Sequence, residues 1–152
     1  MEITLHSKKI KEAILQISHD EVAGIEDADA RYRAEAGTEK KYEILNAIRE
    51  ALRRLDKKLA RWLVEEYDPN GNNILEELPE AFVYNFNFSE RRAIGKTEAL
   101  TVAMHTFIVE YSLMKFYSNV SQGELSNKHG LLAVDAGNEL EELLFTKNPP
   151  RL

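Results

Sequence analysis

Ala99-Leu-Thr-Val-Ala-Met-His-Thr-Phe-Ile-Val-Glu-Tyr-Ser-Leu-Met-Lys-Phe-Tyr117 is apolar nearly all the way round a helical wheel, and its reading decides the fold. A helix with apolar residues on every side cannot lie on a surface, so other helices must wrap it. Thr101, His105, Ser112 and Lys115 form a narrow polar stripe, with Glu98 just upstream, and Thr106 and Glu110 are the remaining exceptions. With Ser89 as its cap and Asn119 as its end, a helix is predicted over residues 89–119. The fold class that follows is all-α, a helical bundle of about four to five helices around this central apolar helix.

Composition narrows the function classes. A chain of 152 residues suits one helical domain, 1–152, able to bury a core without metal or disulfide staples. Zero cysteines remove thiol catalysis, cysteine zinc sites and disulfides together. The start, MEITLHSKKIKEAIL, holds no uninterrupted apolar run after a basic residue, so a secretory signal is not expected. The run from Ala99 to Val109 is too short to span a bilayer, and extending it brings in Glu110 and Lys115, so no membrane association is expected. A net charge of −6 opposes general nucleic-acid binding, which needs a positive field to displace phosphate counterions. The expected location is cytoplasmic, or a virion if the gene is phage-borne.

Outward from the central helix, residues 82–88 alternate aromatic and mostly polar residues at period two, the mark of an extended segment. In a helical domain such a strand must pair with MEITL, be covered, or add to a partner's sheet. Thr38 is predicted to cap an amphipathic helix through about Tyr67, some 45 Å long, with Leu45, Ile48, Leu52, Leu55, Leu59 and Trp62 inward. Asp68-Pro-Asn-Gly-Asn-Asn73 then breaks it. Ser7 is expected to cap a first helix through Ser18, with Ile10, Ile14 and Ile17 inward. Residues 20–37 are acidic and alanine-rich, a marginal helix or a mobile connection stopped by Gly37. Ser121 with Glu124 makes a capping-box pattern. A last helix is predicted over about Gly130 to Thr146, with Leu132, Val134, Leu140, Leu143 and Leu144 inward and Asn148-Pro-Pro150 as its stop.

No pattern of reactive residues is complete. Gly95-Lys96-Thr97 matches the end of a phosphate-binding loop, but Glu90 stands where the first glycine belongs, and a helix that keeps Gly95 for close packing is expected instead. The run from Asp68 opens like a calcium loop, yet Asn73 and Pro79 occupy the glycine and glutamate positions. His6, His19, His105 and His129 are scattered without Glu-x-x-His spacing, so no metal and no cofactor is predicted. Glu110, the one carboxylate on an apolar face, is expected in a structural ion pair or hydrogen bond. It points about 140° from His105 on the wheel, which argues against a shared site.

Charge is segregated along the chain. Residues 49–61 carry Arg49, Arg53, Arg54, Lys57, Lys58 and Arg61 against Glu50 and Asp56, whereas residues 20–35 carry six acids against Arg31 and Arg33. These segments are expected to be solvated, to meet within one subunit, or to meet between subunits and set register there. The residues singled out for contacts are the aromatics Phe82, Tyr84, Phe86 and Phe88, with Arg53, Lys57 and Arg61 as a basic patch.

The order of parts resembles a known group. Ala60-Arg-Trp-Leu-Val-Glu-Glu-Tyr67, Leu78-Pro79-Glu80, Phe107-Ile-Val-Glu-Tyr111, Lys115-Phe-Tyr117 and Lys147-Asn-Pro-Pro-Arg151 together look like the small helical head-tail connector or adaptor proteins of tailed bacteriophages and prophages. The resemblance covers about residues 40–151 and lies in pattern rather than in a motif. It implies a structural subunit without catalysis that assembles as a ring, its partners being other copies of itself or other virion proteins. No site residue carries over, and the acidic segment has no counterpart in the pattern. The alternative is a ligand-binding or regulatory helical bundle, either with Glu110 and His105 facing a pocket or with the acidic segment docking a basic partner.

Overall fold

The computed structural model describes residues 1–64, 78–88 and 95–145. Strand β1 (Glu2–His6) runs directly into helix α1 (Ser7–Val22), and α2 (Ala28–Ala34) follows a short turn. A 3-10 turn (Thr38–Lys40) leads into α3 (Lys41–Leu59), which a second 3-10 turn (Ala60–Trp62) ends. Strand β2 (Ala81–Asn85), α4 (Thr97–Asn119) and α5 (Gly123–Phe145) complete the described elements. Helix therefore predominates, with a small sheet beside it. No described helix is long and apolar enough to cross a membrane.

Helix α4 packs against α1, α3, α5 and β1. Its Leu100, Met104, Ile108 and Leu113 are fully buried, so the core runs along it from the sheet to the α5 interface. The expected polar stripe is only partly polar in its surroundings: Ser112 is buried and donates to the Ile108 carbonyl at 2.6 Å, while the apolar Val102 is exposed. The helix begins at Thr97; the predicted cap Ser89 lies outside the described residues. Gly95 is not a packing glycine inside that helix. Its φ of +74° puts it in a left-handed turn, with no atom near the space a side chain would fill.

The sheet forms because the alternating segment finds MEITL. β1 and β2 pair antiparallel with Ile3 opposite Tyr84 and Leu5 opposite Phe82, which turns four large apolar side chains onto the core. The other edge of β2 is occupied as well: Val64 N donates to the Asn85 carbonyl at 2.8 Å and Asn87 N to the Trp62 carbonyl at 2.7 Å. This pairing corrects the expected length of α3. Leu63 is extended and bridges Phe86, so the helix stops at Leu59, before the predicted end at Tyr67, which lies outside the described residues. The pattern Leu45, Ile48, Leu52, Leu55 and Leu59 is buried as its period required, and Trp62 is half-buried.

Two helix starts also differ from expectation. Ser7 lies inside α1, where its N–H and Oγ both donate to the Glu80 carbonyl, at 2.9 and 3.3 Å; it is a tie to the chain before β2 rather than a cap. Helix α5 starts at Gly123, well before Gly130, and Ser121 precedes it in a left-handed conformation with φ 61°. Residues 20–37 contribute α2, capped by the Asp27 side chain on Asp29 N at 3.0 Å. At the other end of α2 the Lys40 ammonium donates to the Tyr32, Arg33 and Glu35 carbonyls at 2.6–2.9 Å, where a cation offsets the helix dipole.

Candidate functional site

The densest polar constellation among the described residues is one the sequence patterns do not mark. His129 of α5 is buried between two carboxylates: its Nε2 lies 2.7 Å from Glu21 Oε1 of α1, and its Nδ1 is hydrogen-bonded to Glu110 Oε2 of α4. Tyr117 donates its hydroxyl to Glu21 Oε1 at 3.1 Å and stacks on the imidazole at 5.6 Å, while Lys128 Nζ reaches Glu21 Oε2 at 2.7 Å. An imidazole facing a carboxylate on each ring nitrogen satisfies both by carrying two N–H donors, the charged form.

The titration directions agree with that geometry. Burial works against charge on His129, but the bonds to Glu110 and Glu21 outweigh it and raise the imidazole above its ordinary value. Burial likewise opposes charge on Glu21, yet Lys128 and His129 leave its carboxyl below the usual value. Burial raises the Tyr117 hydroxyl, with Glu21 adding to the effect, so it stays protonated. The cluster joins α1, α4 and α5 and holds its charges against one another, with His129 only 2% exposed. Among the described residues no group of histidines and carboxylates is arranged to hold a metal ion.

Glu110 thus has the partner its isolation demanded, the His129 imidazole. His105 stands apart from it, with burial and the Lys9 charge pushing its imidazole below the ordinary value. Lys96 of the Gly-Lys-Thr run donates to the Leu143 carbonyl at 2.9 Å, closing the end of α5. The calcium-loop run from Asp68 to Asn73 lies outside the described residues.

The predicted contact residues separate into two groups. Phe82, Tyr84 and Phe86 are at most 3% exposed, and Phe88 is partly buried and stacked on Phe86 at 5.4 Å. Of the outcomes expected for this strand, pairing with MEITL is the one found, and it turns these rings inward. Arg53, Lys57 and Arg61 are exposed. Arg61 lies over the Trp62 and Phe145 rings, at 5.3 and 5.7 Å.

Arg53 and Lys57 border a cleft that only the tertiary structure assembles. Arg54 and Lys58 of α3, Phe107 and Tyr111 of α4, and Val134 of α5 line a depression of about 460 Å³. It adjoins, through the shared Arg54 and Tyr111, a smaller one of about 240 Å³ beside Arg53 and Lys57. Phe107 and Tyr111 stack at 5.8 Å, with Lys58 Nζ 5.9 Å above Phe107 and Lys115 Nζ 6.0 Å from the Tyr111 centroid. Glu141 and Glu50 lie 3.9 and 3.7 Å from Lys58 and Lys115. This surface suits an anionic partner that also presents an aromatic or apolar group. A larger cleft of about 910 Å³ lies between α1 and residues 35–39, but it is broad and its Lys9, Glu12, His19 and Glu35 mix both signs.

The last helix faces differently from expectation. Its buried residues include Ala133, Ala136, Gly137, Leu140 and Leu144, whereas Leu132 and Val134 are exposed. Small residues make the seam with α4, and larger ones are left outside.

No family model matches the chain, and neither a curated protein nor a solved structure matches it significantly.

Proposed function

We propose that this chain is a non-enzymatic assembly protein, a subunit of the kind that joins virion parts in tailed phages or prophages, acting through contacts with copies of itself or with other assembly proteins. The observation that carries this reading is a set of exposed apolar side chains on the outside of α5. Leu131, Val134 and Phe145 are 70%, 58% and 54% exposed. They fall within about 60° of one another on the helical wheel. Asn138 and Glu142 share that face between Val134 and Phe145, so Leu131 and Val134, one turn apart, are the exposed apolar pair that gains most from being covered. Beside this pair runs the basic face of α3, which adds orientation and register to a contact that the pair drives.

Size-exclusion chromatography with light scattering, over a concentration series at two salt concentrations, tests the reading. Growth into a closed oligomer supports it, and Leu131→Ser with Val134→Ser should then reduce association while leaving the helical circular dichroism unchanged. A strict monomer at every concentration, with no partner retained from assembly proteins encoded alongside, overturns it.

A further inference from the structure

We propose that the acidic face of α2 in one copy docks on the basic, aromatic cleft between α3 and α4 of the next copy, in a head-to-tail contact. The inference rests on the assembly reading and supplies its geometry. Glu26, Asp27 and Asp29 are exposed at the start of α2, and Tyr32 presents its ring 59% exposed one turn further on, with Lys40 Nζ 5.3 Å from the ring centroid. Opposite charges stand around the receiving cleft: Arg53, Arg54 and Lys57 are exposed beside Tyr111 and form no ion pair among the described residues. An acidic edge carrying one aromatic ring meets a basic edge carrying two.

The two surfaces are not paired within one molecule: among the described residues no ion pair joins Glu26, Asp27 or Asp29 to Arg53, Arg54 or Lys57. Lys40 holds the other end of α2, through the Tyr32, Arg33 and Glu35 carbonyls. A second copy brings them into contact, and because the two surfaces differ, the contact is heterologous and repeats into a ring or a filament. The remaining charges do not reverse this match. Arg31 is turned back onto the Ile25 and Glu26 carbonyls at 3.0 and 3.4 Å, and Glu50 and Glu141 are engaged by Lys115 and Lys58; Arg33 is exposed on α2.

Reciprocal charge reversal tests the contact. One variant carries Arg53→Glu with Lys57→Glu, the other Glu26→Lys with Asp29→Lys, which keeps the Asp27 cap of α2; both sets of positions are exposed, so circular dichroism melting should stay close to that of the unaltered chain. Each variant alone should associate about tenfold more weakly or worse by light scattering. An equimolar mixture should recover assembly, since each reversed surface then meets its complement on the other variant. Persistent oligomers in both variants overturn this contact and leave the assembly reading standing. A strict monomer of the unaltered chain overturns this contact, and one that also retains no assembly protein encoded alongside overturns both. Retention of a single-stranded oligonucleotide by a monomer, abolished by Arg53→Glu with Lys57→Glu, assigns the cleft to nucleic acid and also overturns the proposal.

Discussion

His129 decides more than any other side chain described here. It lies between Glu21 and Glu110, so its removal leaves two carboxylates with little exposure facing a gap. Deleting one partner of a buried, paired charge costs about 3–5 kcal/mol, and a loss near 3 kcal/mol is expected for His129→Ala because both carboxylates keep some access to water. Urea denaturation measures it, and a loss below about 1 kcal/mol would show that the cluster is not a clamp. The pH dependence has a definite sign. His129, raised above 6.5, contributes stability that is whole below pH 6.5 and is lost as pH rises through its folded value. Glu21, lowered from 4.5, contributes stability that is whole above pH 4.5 and is lost as pH falls through its folded value. The stability difference between the unaltered chain and His129→Gln should therefore be largest between pH 4.5 and 6.5 and shrink toward alkaline pH. His105, lowered by burial and by Lys9, has the opposite sign: its neutral form is favoured on folding, so His105→Gln should relieve a loss that grows below pH 6.5. At the same scale, Tyr84→Ser and Phe86→Ser should unfold the chain rather than dissociate an assembly. Burial of those rings makes truncation cost about 3–5 kcal/mol each.

Among the elements, α5 shows how a helix can be recognised from sequence and still be turned the wrong way. Its leucines suggested an apolar face through Leu132 and Val134, yet the seam with α4 is built from Ala133, Ala136 and Gly137. Small residues let two backbones approach, and the larger side chains are then left outside. Ala136→Leu should wedge that seam and cost about 1–3 kcal/mol in thermal or urea unfolding. Gly137→Ala should behave differently, because the added Cβ meets the mobile end of Lys58 at 3.3 Å and the Phe107 ring at an ordinary 3.7 Å. With about 1 kcal/mol of helix propensity in favour of alanine, that variant should be neutral or more stable. Strand β1 is as consequential as any helix. Removing residues 1–5 takes away the pairing that covers Phe82 and Tyr84, and the truncated chain should lose cooperative melting.

For the whole molecule, the periodic elements were legible and their meetings were not. Leu45, Ile48, Leu52, Leu55 and Leu59 announced one buried face of α3, and MEITL was one of the partners the alternating aromatic segment required. By contrast, Leu63 and Val64 continue a helical pattern in sequence but are drawn into extended form by the open edge of β2. The charge segregation was equally plain in sequence. Only the tertiary structure shows that among the described residues no ion pair joins the two patches within one chain, and this makes salt-sensitive association the property to measure in the intact protein.

What the sequence determined by itself is whatever repeats within a few residues: helical and strand periods, turn chemistry, the absence of thiols, and the separation of acid from base. These are local because side-chain direction follows from position along a helix or strand. The tertiary structure alone decided which surfaces those elements share. Glu21, Glu110 and His129 are 19 to 108 positions apart, and no spacing rule links them. Their union depends on three helices packing at once, and the same packing turned the aromatic strand into the core and left Leu131 and Val134 exposed on the outside.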